Sequence, residues 1–134
     1  MNERTEDRNV AEAKKKILVV DDSKTALFIE STMLRGGPYQ LVTAGDGEEA
    51  VRTAVAERPD LILMDVMMPK MDGFEACRAL RNLPETRDIP IIIVTTRGEE
   101  KNLEVGFASG CTDYVTKPIN GAELLAKIRS FTGA

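Results

Sequence analysis

The sequence contains no histidine and no tryptophan, and only two of its 134 residues are cysteine. Without imidazole there can be no Ser-His-Asp or Cys-His nucleophile pair and no zinc site built on histidine. The chain also cannot carry a phosphohistidine. Any phosphoryl chemistry must therefore use a carboxylate, a hydroxyl, a lysine or a metal ion. Cys77 and Cys111 are far apart and lack CxxC spacing, so reduced packing residues are expected. No apolar run approaches the ~18 residues of a membrane span, and the amino terminus lacks the hydrophobic stretch of a signal peptide. A cytoplasmic location and no membrane partner follow as expectations. Basic stripes are missing too: 18 Lys and Arg against 22 Asp and Glu give a net charge of −4, which argues against direct nucleic-acid binding.

Charged residues at 30% and hydrophobic ones at 43% make an ordinary globular mixture, and the length suits one domain. Residues 1–15 are polar with balanced charge and too few apolar groups to repay their ordering, so a mobile leader is expected before a domain over 16–134.

From Lys16 onward two kinds of segment alternate. Runs rich in β-branched or apolar residues stand at ILVV (17–20), YQLVTA (39–44), LILM (61–64), IIIVTT (91–96) and DYVTK (113–117). Between them lie segments of helical character at about 23–35, 47–57, 73–82, 99–109 and 121–131. Five strands each followed by a helix predict an α/β domain with a parallel sheet. ILVV, LILM and IIIV are continuously apolar, as strands covered on both faces must be. Asp46 is placed to cap the second helix, with Glu49 at capping-box distance. Gly36-Gly37-Pro38 and Pro59 supply stops, and Gly110 follows the fourth helix. In the first helix Ala26, Ile29 and Met33 have core-facing spacing, with Leu27 and Phe28 a step off it. Gly73 is expected to open the third helix close to the sheet. Met67, Met68 and Met71 read as loop packing.

Open α/β sheets place their sites at the carboxyl ends of the strands. Asp21 and Asp22 follow ILVV, Asp65 follows LILM, Thr95 follows IIIV and Lys117 ends the fifth run. Taken singly, each has an ordinary role as cap, turn or surface residue. Together they form a chemical device. Clustered carboxylates repel one another, and a hard divalent cation such as Mg²⁺ relieves that while keeping positions open for phosphate oxygens. A carboxylate beside such an ion can attack a phosphoryl group, with lysine and threonine sharing the oxygens' charge.

ILVVDDS, LILMDVMMPKMDG, PIIIVTT and DYVTKP together resemble the receiver domain of bacterial two-component response regulators, over about Lys16 to Phe131. The resemblance implies a (βα)5 flavodoxin-like, CheY-like fold with a parallel five-stranded sheet of order 2-1-3-4-5, for which the chemotaxis receiver is a standing example. It implies Asp65 as phosphoacceptor, Asp22, Asp21 and the Met67 carbonyl as further ligands of Mg²⁺ (Mn²⁺ being the alternative ion), Lys117 paired with the phosphate and Thr95 bonded to it. Lys117–Pro118 is implied to be cis. Tyr114 is the implied switch aromatic, acting with Thr95. Met67 and Arg97 hold the two positions that tune phosphoryl lifetime. Apolar and bulky cationic side chains there imply slow autodephosphorylation.

The function so implied is a phosphorylation-activated protein-binding switch, not a turnover enzyme. A sensor histidine kinase or histidine phosphotransfer protein is the expected donor. The output face is expected from 99–109, 113–116 and 121–131, on a monomer or weak dimer. A stand-alone receiver is expected. Its rivals are a receiver excised from a larger regulator and a pseudo-receiver that binds without phosphate.

Overall fold

The computed structural model describes residues 14–96, 99 and 102–134. In chain order the elements are β1 (Lys15–Val20), α1 (Lys24–Leu34), β2 (Tyr39–Ala44), α2 (Gly47–Glu57), β3 (Leu61–Asp65), α3 (Gly73–Arg81), β4 (Ile91–Thr96), α4 (Asn102–Ala108), β5 (Asp113–Lys117) and α5 (Gly121–Thr132). Of the leader expected over 1–15, residues 1–13 lie outside the described residues, and Lys15 already belongs to β1. Its register partner is Tyr39, a pairing that apolar content alone does not reveal.

The five strands form one parallel sheet in the order β2-β1-β3-β4-β5. Alternate residues face opposite sides, which explains why the central runs are apolar without interruption. Leu18, Val20, Ile62, Met64, Ile91 and Ile93 face α2 and α3 through Ala50, Ala54, Ala76, Cys77 and Leu80. Ile17, Val19, Leu61, Leu63, Ile92 and Val94 face α1 and α5 through Leu34, Leu124 and Ile128. Small residues on α2 and α3 let those helices sit close to the sheet.

The caps follow local chemistry. Asp46 accepts from the Glu49 N–H, but the Glu49 carboxylate turns back to the Gly45 N–H and not to its own cap. The reciprocal capping box is at α3, between Asp72 and Glu75. Ser23, one residue beyond the two aspartates, caps α1. Gly110, at φ 101°, ends the turn after α4 in a conformation that favours glycine. Arg81 pins that turn to the start of β4, donating to the carbonyls of Gly110 at 2.8 Å and Ile89 at 2.7 Å.

Gly106 has a packing role beyond weakening a helix. A Cβ there would lie 2.7 Å from Ile93 Cδ1 and 3.3 Å from both Cys111 Sγ and a Phe74 ring carbon. Alanine favours helices by about 1 kcal/mol over glycine. Overpacking nonetheless makes Gly106→Ala destabilising, by about 1 kcal/mol net in urea unfolding. A stabilised variant would refute the close approach.

Cys77 and Cys111 are both free and buried. Burial pushes the Cys111 thiol up to about 12, so neither residue is poised as a thiolate.

Candidate functional site

The chain enters the sheet at β1, steps to β2 on one side, then crosses to β3 on the other. That reversal opens a crevice at the carboxyl ends of β1 and β3. Asp21 follows β1 directly and is 1% exposed. Asp65 ends β3 at 7% exposure. Asp22 faces solvent. One carboxylate oxygen from each of Asp21, Asp22 and Asp65 falls within a single group no more than 4.8 Å across.

Lys117 closes the group from β5. Its Nζ lies 3.5 Å from Asp21 Oδ2 and 3.5 Å from Asp65 Oδ1. Both distances are long for charge-assisted hydrogen bonds. Asp21 Oδ1 accepts from the Ser23 N–H at 2.9 Å, whereas Asp21 Oδ2 is buried and has no hydrogen-bond partner. One ammonium therefore faces three carboxylates, and one buried oxygen is unsatisfied. A hard divalent cation with oxygen preference fits this donor set.

The electrostatics are consistent with crowding. Burial, then the charge of Asp21, raises the Asp65 carboxyl from its ordinary 3.8 to about 6, against the pull of Lys117. Burial would lower Lys117, but Asp65, Asp21 and Glu30 together outweigh it and raise the ammonium.

Thr95 is buried at the end of β4, beside Val94, the register partner of Asp65. The Lys117–Pro118 bond is cis, as the resemblance implied. Tyr114 is half-buried on β5, its ring edge-on to Phe107 at 6.4 Å between centroids. Lys127 Nζ sits 5.1 Å above that ring and donates to the Tyr114 carbonyl at 2.8 Å. Met67 projects into solvent, unlike Met68 and Met71, which pack on the core. Arg97 lies outside the described residues, as do 98 and, from the expected output segment, 100 and 101. The described part of that segment exposes Val105 and Phe107.

Two features of α1 depart from the sequence expectation. Ile29, expected to face the core, is exposed. The inward face instead carries Glu30, 2% exposed, with Oε1 unpartnered. The helix is rotated so that Ala26, Glu30 and Leu34, four residues apart, point toward the sheet side. A carboxylate between two apolar residues at that spacing was the signal available in the sequence.

Residues 17–129 match the family described as the response regulator receiver domain. The chain belongs to that family. Response regulator receiver domains are signalling proteins and not conventional enzymes. Among relatives, PilH of Pseudomonas aeruginosa is 41% identical over 115 residues, 86% of this chain and 95% of PilH. PhoP of Bacillus subtilis, the alkaline phosphatase synthesis transcriptional regulatory protein, is 41% identical over 87% of this chain. That match is 48% of PhoP, so the receiver spans about half the length of this relative.

Among solved structures, the receiver domain of the sensor histidine kinase PA1611 from Pseudomonas aeruginosa superposes with a TM-score of 0.83 at 34% identity. The superposition covers 90% of this chain and 98% of that one, whose magnesium ion is coordinated in the active-site cleft. The chemotaxis protein CheY4 of Vibrio cholerae gives a TM-score of 0.81 at 36% identity, covering 87% and 98%. The flavodoxin-like, CheY-like fold expected from the sequence is thus the observed one.

Proposed function

We propose that this receiver is a phosphorylation-activated switch in which Asp65 accepts a phosphoryl group and a protein-binding face responds. The supporting observation is the group of Asp21, Asp22 and Asp65, with the Lys117 ammonium as its one basic ion-pair partner among the described residues, through Asp21 and Asp65. Asp21, Asp22, Asp65 and the Met67 carbonyl would hold Mg²⁺, with Mn²⁺ as substitute, and a bound ion supplies positive charge to the phosphoryl oxygens.

The chain's own part is positioning. Asp65, with its carboxyl near 6, is mostly ionised at neutral pH and can attack phosphorus. A new bond to an Asp65 oxygen forms as the donor's P–N or P–O bond breaks, and the donor group leaves. The Lys117 ammonium and the Thr95 hydroxyl then take up two of the three phosphoryl oxygens. Their movement is read by Tyr114, whose ring touches α4 through Phe107. These 134 residues hold no histidine, so the donor is a kinase or phosphotransfer histidine outside them, or a small phosphodonor.

The downstream partner is a protein that reads α4, β5 and α5, in the cytoplasm. No described helix is long and apolar enough to cross a membrane.

The test is mass spectrometry after incubation with Mg²⁺ and acetyl phosphate. A phosphate-sized adduct is expected on the wild type and on Asp60→Asn, and none on Asp65→Ala. A wild type without adduct favours the pseudo-receiver reading. Met67, exposed beside the phosphoacceptor, cannot orient a hydrolytic water, so Met67→Asn is expected to shorten the adduct's half-life several-fold. An unchanged half-life removes Met67 from that role.

A further inference from the structure

A cavity of about 230 Å³ lies between α1 and the turn after β5, lined by Ala26, Ile29, Glu30, Met33, Lys117 and the Pro118–Ile119 segment. Its walls are almost wholly apolar. Among the lining residues only Glu30 and Lys117 carry charge, and Glu30 is the buried carboxylate with an unpartnered Oε1. Lys117 therefore stands between two acidic stations. One is the aspartate cluster, which its ammonium contacts at two long distances. The other is Glu30, which lines the same half-open cavity as the lysine.

We propose that Glu30 is a positioning residue: it receives the Lys117 ammonium across this cavity when a divalent cation occupies the aspartate cluster. The proposal rests on the switch reading above and extends it to the metal-loaded, unphosphorylated state. The physical reasoning is competition for anions. A divalent cation that takes the oxygens of Asp21 and Asp65 removes the partners that hold Lys117 and repels its ammonium. An ammonium displaced along this half-open, largely apolar cavity finds one acceptor among its lining residues, Glu30. The buried carboxylate gains the partner it lacks. When the phosphoryl group arrives, its oxygens draw Lys117 back, so Glu30 holds the lysine in reserve. The flexible four-carbon stem of lysine suits such a swing.

Magnesium affinity reads this directly, without phosphorylation. By isothermal titration with Mg²⁺ alone, Glu30→Gln is expected to weaken binding about 5-fold, because the ammonium then has no second station and stays against the metal. In a Lys117→Met background the same Glu30→Gln change is expected to alter binding by less than 1.5-fold. A plain through-space effect of the Glu30 charge predicts an equal loss in both backgrounds, and that result overturns the proposal. Unchanged affinity on Glu30→Gln in the otherwise wild-type protein, with Lys117 intact, overturns it too. A second readout is independent of affinity. On adding Mg²⁺, the Lys117 ε-methylene should gain nuclear Overhauser contacts to the Met33 methyl in the wild type and not in Glu30→Gln, and their absence in the wild type counts against the swing. Failure of the wild type to bind Mg²⁺ at all is a different outcome, which overturns the metal reading of the aspartate cluster itself.

Discussion

In the metal-free protein, the stability advantage of Glu30→Gln over wild type is expected to grow by about 3 kcal/mol between pH 4 and pH 8. Burial, then the charge of Asp21, lifts the Glu30 carboxyl from its ordinary 4.5 to about 7, with Lys117 opposing. Below 4.5 the group is protonated whether the chain is folded or unfolded, and its neutral form sits in the core at little cost. Between 4.5 and 7 the unfolded chain releases the proton while the folded one keeps it, so stability falls as pH rises. Above 7 both forms are ionised and the loss is complete. Glutamine has no such transition, and its curve lacks this slope.

Asp65, raised in the same sense from 3.8 to about 6, contributes to both proteins and cancels in the difference. Urea unfolding of the two proteins at pH 4, 5.5, 7 and 8 measures the gap. A gap that stays constant over that range would show that Glu30 is already satisfied when ionised.

Glu30 also marks where the sequence stops being legible. The strands over 39–44, 91–96 and 113–117 have the expected bounds because turn residues and helix caps bracket each apolar run. The order of Asp21, Asp65, Thr95 and Lys117 along the chain was enough to bring them to one sheet edge. A parallel sheet sends every strand's carboxyl end the same way. The rotation of α1 about its axis was not accessible. Leu27, Phe28, Ile29 and Met33 spread apolar side chains around most of the helix, so no single stripe dictates which face turns inward. Packing on β1 and β2, which flank the helix in the chain, and on the turn after β5, distant in sequence, decides it, and turns Glu30 in and Ile29 out. The capping box at Asp72 and Glu75, by contrast, is legible in the D-x-x-E spacing. The packing of Tyr114 against Phe107 and Lys127 was not legible, since no motif connects those residues to it.

Gly73→Ala is expected to damage the site more than any substitution outside the aspartate cluster. A Cβ on Gly73 would press into the carbonyl oxygen of Asp65 and approach Val66 Cα to 2.9 Å and the Asp65 carbonyl carbon to 3.2 Å. All three are backbone atoms at the end of the strand that carries Asp65, so no flexible side chain can move aside. The Gly73 N–H also donates to the Val66 carbonyl at 2.9 Å, which ties the first turn of α3 to that strand end. Relief requires α3 to retreat or Asp65 to shift. Overpacking against backbone is expected to cost about 3 kcal/mol, and a displaced Asp65 no longer shares a metal with Asp21 and Asp22.

The control is Ala79→Gly in the same helix, which costs about 1 kcal/mol through helix propensity and leaves the strand end alone. Thermal unfolding with and without Mg²⁺ should show a metal-induced rise in Tm for wild type and Ala79→Gly, and little or none for Gly73→Ala. The acetyl phosphate adduct should follow the same division. If Gly73→Ala keeps both the metal response and the adduct, the contact between α3 and the end of β3 does not hold Asp65 in place. The contacts of Ser23 and Lys117 and the Val66 backbone hydrogen bond to Asp65 would then suffice to hold the cluster.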